Sequence, residues 1–302
     1  MSVRRGTYSI VARDPATGEL GVAVQSHWFS VGSIVTWARP GVGAVATQSI
    51  AEPAYGPHLL DRLAAGAVPG DALAAELAGD DLARFRQVAV VDAKGRVAAH
   101  TGDGCMLHAG DRTGDGFSAQ ANLMASPDVW PAMAKSFETA SGPLARRLLA
   151  ALDAAEAAGG DVRGRQSAAL VVVPAAGEPW RTRVELRVDD ATDPLGELRR
   201  LLDLADAYEV ANRADELAGE GRHEEAAELY EQAAVAAPAN VELSFWAGLG
   251  IAAAGDLDRG AERVRAALDA YPGWRDLLAR LDPEIAPAVD AVREALGVAP
   301  SR

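Results

Sequence analysis

Across residues 1–190 the strand-like runs arrive in antiparallel groups and the helical runs in pairs, and that grouping narrows the fold more than any other feature. Thr7–Arg13 and residues 20–25 read as strands on either side of Asp14-Pro15-Ala16-Thr17-Gly18-Glu19, whose Asp, Pro and Gly suit a hairpin connection. Residues 34–38 and 44–48 form a second pair across Arg39-Pro40-Gly41-Val42-Gly43. Helical period follows over residues 55–65 and 71–77. Strand character returns at residues 87–91, 97–101 and 116–120; helices begin at Pro127 and near Pro143, and strands at 168–173 and 182–188 close the part. The strict strand–helix alternation of a doubly wound sheet is missing. The order fits the α+β class and a four-layer αββα sandwich, two sheets face to face with a helix pair outside each. Val88-Ala89-Val90-Val91 and the run 168–173 are apolar without alternation, as strands covered on both faces are.

After Asp193-Pro194, a good N-cap and first helical position, the period is helical throughout, so two domains are expected, 1–190 and 191–302. Gly221, Ala226, Tyr230, Ala233 and Pro238 recur 34 residues later as Gly255, Gly260, Val264, Ala267 and Pro272, and Ala214 and Leu217 return as Gly248 and Ile251. Small residues at this period, where paired helices touch, resemble the tetratricopeptide repeat (TPR) over residues 208–274, flanked by helices at 195–208 and 283–296. Such a scaffold holds a protein or peptide partner and does no chemistry.

Charge and cysteine usage exclude several classes of function. With 29 Lys and Arg against 43 Asp and Glu, the net charge of −14 has the wrong sign for a nucleic-acid or anionic-membrane binder. No apolar stretch is long enough for a membrane span, and the opening residues lead into a strand-like run instead of a signal segment. A single cysteine, Cys105, forms no internal disulfide, and a cytoplasmic location is expected.

Thr7, behind Gly6 at the start of the first strand, is the candidate nucleophile. A threonine hydroxyl attacks an amide when its own free α-amino group takes the proton, and that amine titrates at about 7.7–8.0, close to working pH. The role requires removal of residues 1–6. A β-branched residue also suits a strand start with no chemistry at all. The block Gly159-Gly160-Asp161-Val162-Arg163-Gly164-Arg165-Gln166-Ser167 crowds polar side chains ahead of a buried strand. Asp161, Arg163, Arg165, Gln166 and Ser167 can hold a substrate carboxylate or supply oxyanion donors, or pair internally and staple helix to strand. Asn122 can donate to an oxyanion or end a turn. His100, Cys105 and His108, with Asp103 or Asp111, mix metal-capable side chains at no familiar spacing; turn chemistry explains them, and neither metal nor cofactor is expected. Ser26 and His27 are adjacent, so on a strand they face opposite ways and form no serine–histidine pair. Trp28 and Phe29 line a pocket or a contact in a homo-oligomer, or anchor their loop.

Thr7-Tyr8-Ser9-Ile10-Val11-Ala12-Arg13-Asp14-Pro15, then Gly18-Glu19-Leu20-Gly21-Val22-Ala23-Val24 with Ser26, Gly41-Val42-Gly43-Ala44-Val45-Ala46-Thr47-Gln48, and above all the Gly159–Ser167 block, resemble the bacterial family catalogued as domain of unknown function 1028 over about residues 5–200. The resemblance implies an N-terminal-nucleophile (Ntn) hydrolase fold, itself an αββα sandwich, with an extra C-terminal module. The chain departs from proteasome-like members of that superfamily, which place a lysine beside the nucleophile, because its first lysine is Lys94. Arg13 or Arg39 would supply positive charge, acting only electrostatically since arginine stays protonated. The expected activity is hydrolysis of a small-molecule or small-peptide amide by Thr7, with Arg163, Arg165 and Asn122 contacting substrate. The alternative is a non-catalytic assembly protein that recruits its partner through the helical repeats.

Overall fold

In the computed structural model, which describes residues 6–301, the first hairpin sets the frame for the rest of the N-terminal unit. β1 (Thr7–Arg13) and β2 (Leu20–Ser26) pair antiparallel with Arg13 opposite Leu20 and Thr7 opposite Ser26. Asp14 closes the turn by accepting from the backbone N–H groups of Ala16 and Thr17. On the other side of β1 runs β8 (Phe117–Asn122), which brings Asn122 opposite Thr7. β9 (Ser167–Val173) flanks β2, and β10 (Val184–Val188) and β7 (Gly110–Gly114) complete the order β10-β9-β2-β1-β8-β7. β7 lies in a stretch that reads as turns in the sequence, since its five residues GDRTG have no apolar alternation and occupy a half-exposed sheet edge.

The second sheet has the order β3-β4-β5-β6, from β3 (Thr36–Arg39), β4 (Gly43–Ser49), β5 (Arg86–Asp92) and β6 (Val97–Thr101). Where a strand was expected to begin at residue 34, a helical turn α1 (Gly32–Val35) comes first. The sheets meet through Val11, Leu20, Val22, Val24, Ala169 and Val171 on one side and Ala44, Ala46, Ala89 and Val91 on the other. Alternation then turns Tyr8, Ile10 and Ala12 of β1 outward, under α4 (Val129–Thr139) and α5 (Leu144–Ala157), whose Leu144, Leu148 and Leu152 recur at helical spacing. Leu59, Leu60 and Leu63 of α2 (Tyr55–Ala64) and Leu73 of α3 (Pro69–Leu77) cover Val45, Val88 and Val90 in the same way. The layers are therefore helix, sheet, sheet, helix, and the N-terminal part is mixed α+β.

The chain divides into two compact units, Met1–Leu202 and Asp203–Arg302. The division falls inside α6 (Pro194–Gly219), C-terminal to the 189–194 segment where the sequence texture changes. That segment is tied into the first unit: Ser30 N–H donates to the Asp189 carbonyl and Ala191 N–H to the Gln166 carbonyl, and Leu195, Leu198 and Leu202 enter the core under α5. The second unit is helical, with α7 (His223–Ala236), α8 (Val241–Ala253), α9 (Leu257–Ala270), α10 (Gly273–Arg280) and α11 (Val289–Leu296). The α8 and α9 backbones touch at Gly248 and Gly260: a Cβ on Gly248 would lie 2.7 Å from the Gly260 carbonyl oxygen. Among the described residues, no helix is long and apolar enough to cross a membrane.

Candidate functional site

At one end of the inter-sheet layer the inward positions become polar. Thr7 and Ser9 of β1, Gln48 of β4, Gln87 of β5, and Gln120 and Asn122 of β8 are all buried there. The Gln87 amide oxygen accepts from Gln48 Nε2 at 2.8 Å and from Asn122 Nδ2 at 2.9 Å, which crosslinks the two sheets. Gln48 Nε2 and Asn122 Nδ2 also approach the Thr7 carbonyl oxygen, at 3.3 and 3.4 Å. Ser9 Oγ donates to Gln48 Oε1 at 2.6 Å and accepts from Gln120 Nε2 at 2.7 Å. Buried polar groups need partners, and this network supplies most of them. An exception among the described residues is Asn122 Oδ1, buried without one. β4 ends on a left-handed residue, Ser49 at φ 70°, and β8 is followed by one, Leu123 at φ 57°, so Gln48 and Asn122 each directly precede a residue at positive φ.

The carbonyl oxygen of Gly6 is the focus of the site. Arg163 Nη2 donates to it at 2.8 Å and Ser26 Oγ at 2.5 Å, while Thr7 Oγ1 lies 2.6 Å away. Thr7 Oγ1 is also 3.1 Å from Ser26 Oγ, so its proton has a second acceptor when Ser26 and Arg163 occupy the two carbonyl lone pairs. Asp161 fixes the guanidinium: Oδ1 accepts from Arg163 N–H at 2.9 Å and Nε at 3.0 Å, and Oδ2 accepts from Nη2 at 2.7 Å and from the His27 N–H at 3.1 Å. The Asp161 side chain is fully buried, against 25% exposure for Arg163. Gly159 and Gly160, both at positive φ, make the tight turn that delivers this carboxylate. Position 6 itself must be glycine, because a Cβ there would meet the Asp161 carboxylate at 2.8–2.9 Å.

On the opposite face of β1, Tyr8 donates to Glu156 Oε2 at 2.8 Å. Burial, reinforced by that carboxylate, holds its phenol well above the ordinary tyrosine range, so it stays protonated. Burial also pushes the Cys105 thiol up, away from the reactive thiolate form.

Thr7, Asn122, Asp161 and Arg163 thus converge, whereas Arg165, Gln166 and Ser167 do not reach Thr7. Arg165 pairs with Asp193 at 3.1 Å and Glu156 at 3.5 Å, and Gln166 Nε2 donates to Asp190 at 3.1 Å. Ser167 is a staple: its Oγ donates to the Trp28 carbonyl and accepts from Val31 N–H at 3.0 Å. His27, Arg165 and Gln166 instead line a neighbouring cleft of about 340 Å³ with Asp190, Ala191 and Thr192. Arg39 pairs with Asp61 at the surface and Arg13 lies at the far end of β1, so Arg163 supplies the cation expected from them. His100 binds the Ala83 carbonyl and Cys105 the Arg86 carbonyl; among the described residues no three His, Cys, Asp or Glu side chains group as metal ligands.

Ser26, Gln48 and Gln87 belong to the site without having been singled out for it. Ser26 lies one residue past the strand run 20–25 read from the sequence, and extending that strand by one residue across the hairpin places it opposite Thr7. Gln48 and Gln87 are polar residues at inward positions of otherwise apolar strands, a pattern readable once the faces are assigned.

Residues 7–198 match DUF1028, described as a family of unknown function. Among solved structures, protein SPO2555 from Silicibacter pomeroyi, which carries the same family designation, is 34% identical with a TM-score of 0.61, over 66% of this chain and 86% of that one. Anbu (ancestral beta-subunit) from Yersinia bercovieri is 12% identical with a TM-score of 0.33, over 64% of this chain and 91% of that one. No curated protein matches.

Proposed function

This chain belongs to DUF1028, a family of unknown function, and we propose that it is an amide hydrolase whose nucleophile, Thr7, becomes the N-terminus when the Gly6–Thr7 bond is cut. The reading rests on one observation: the Gly6 carbonyl is held by Ser26 Oγ and Arg163 Nη2 with Thr7 Oγ1 2.6 Å from its oxygen. Two donors on a buried carbonyl polarise it and stabilise the oxyanion that forms when Oγ1 adds to the carbon. Collapse breaks the bond to the Thr7 nitrogen, which takes up the hydroxyl proton, and leaves an ester on Oγ1 and a free amine. Water then cleaves the ester, releasing residues 1–6 as a carboxylic acid.

The freed amine lies on the nucleophile's own Cα, so base and hydroxyl need no further alignment. With an external amide, Oγ1 attacks the acyl carbon, the amine carries its proton to the departing nitrogen, and water hydrolyses the acyl ester. Arg163 cannot lose its proton, so its part is electrostatic. Asn122 and Gln48 hold the Thr7 carbonyl and thereby the position of Cα. The αββα order supports assigning the first unit to the Ntn-hydrolase fold. The 34-residue period and the Gly248–Gly260 contact support a TPR-like second unit that offers a surface to a protein partner. A single cysteine suits a reducing, cytoplasmic compartment.

Thr7→Ala and Thr7→Ser test the reading together. The alanine variant retains residues 1–6 and hydrolyses no amide, while the serine variant keeps part of both activities. Amide hydrolysis by Thr7→Ala at the wild-type rate would refute it.

A further inference from the structure

Gly6 occupies the place that the acyl part of an external substrate must take, if Thr7 is the nucleophile, since its carbonyl already lies on Ser26 and Arg163. What surrounds the Gly6 Cα therefore describes the acyl subsite. A Cβ built on Gly6 with the L configuration lies 2.8 Å from Asp161 Oδ2, 2.9 Å from Cγ and 2.9 Å from Oδ1. Carbon cannot approach a carboxylate that closely. Nor can this carboxylate withdraw, because it is fully buried and held by the Arg163 N–H, Nε and Nη2 and by the His27 N–H. Displacing it would also unseat the guanidinium that contacts the scissile carbonyl.

Resting on the Thr7 reading, we infer that this enzyme selects amides whose acyl α-carbon carries no L-configured side chain, such as glycyl or acetyl, and that Asp161 is the residue that rejects such a side chain. Asp161 thus has two roles in one position: it orients Arg163 and it walls off the α-carbon. Selection by steric exclusion against a fixed group is a difference in transition-state binding, so it appears in kcat/KM. The same wall acts on the protein's own Gly6–Thr7 bond, so self-cleavage and turnover share one preference.

Two measurements on the full chain test this. Gly6→Ala should slow self-cleavage at least tenfold by intact mass, and the wild-type protein should hydrolyse glycyl and acetyl p-nitroanilides with kcat/KM at least tenfold above the L-alanyl and L-valyl ones. Asp161→Ala should lower the glycyl rate, through the loss of Arg163 alignment, yet raise the ratio of L-alanyl to glycyl turnover. Equal rates for glycyl and L-alanyl substrates, or Gly6→Ala cleaving as fast as wild type, would overturn the acyl preference and leave Thr7 as nucleophile. If wild type neither cleaves itself nor hydrolyses any of the four, the nucleophile assignment falls and the preference falls with it.

Discussion

Arg163 Nη2 and the carbonyl oxygen of Gly6 lie 2.8 Å apart across 157 positions of sequence. The contact depends on Asp161, which binds Nε and Nη2 of the same guanidinium and turns the remaining donor capacity toward Gly6. Lysine would keep the charge at this position and lose the planar fork that Asp161 grips. Arg163→Lys is therefore expected to slow both self-cleavage and amide turnover by about 10²–10³, the usual loss for one oxyanion donor. Single-turnover cleavage followed by mass, alongside kcat on an anilide, measures it.

Ser26 touches both the nucleophile and the carbonyl it attacks. Ser26→Ala removes that bridge and leaves Arg163 as the carbonyl's side-chain donor from this pair, so the rate should fall about 10²-fold. The Gly6 carbonyl keeps its bond from Arg163, so thermal unfolding should shift little. A large drop in Tm with unchanged turnover would make Ser26 a structural residue.

Gln87 satisfies Gln48 and Asn122 through one amide oxygen. Gln87→Leu removes the shorter acceptor of both buried amides and leaves each its longer contact with the Thr7 carbonyl, so the cost should lie at the low end of the about 1–3 kcal/mol for an unpaired buried group. Urea unfolding should register that loss, and Gln87→Glu, which keeps an acceptor in place, should recover part of it.

The first hairpin, the apolar strands covered on both faces and the polar Gly159–Ser167 turn were legible in the sequence, because turn residues, apolar runs and glycine torsions are local properties. What escaped was set by tertiary partners. Arg163 and Arg165 are two positions apart and chemically alike, yet one points to Gly6 and the other to Asp193 and Glu156; no local rule separates them. β7 stayed hidden because an exposed edge strand of GDRTG owes its existence to pairing with β8 and not to its own residues. The leucines of α6 read as part of the helical region, but Leu195, Leu198 and Leu202 are buried in the first unit's core.

Acid sensitivity should come in part from Asp80, whose carboxyl is held down at about 2, chiefly by its hydrogen bonds from Arg86. A depressed carboxylate stabilises the fold above the ordinary range near pH 4, and that contribution disappears as pH falls toward 2. Its size is on the order of 1–2 kcal/mol for a well-formed, largely covered pair. Asp80→Asn should lower stability at pH 7, and its stability curve should converge with that of wild type between pH 4 and pH 2. Parallel curves across that window would remove Asp80 from the acid response.

The intact mass of the purified wild-type protein, taken together with amide hydrolysis by the same sample, bears most directly on Thr7. An active protein should have the mass of a chain that begins at Thr7, with residues 1–6 gone. A sample that retains Met1 through Gly6 and still hydrolyses an amide at full rate would show that the Thr7 amine is not the base, and the mechanism would be wrong.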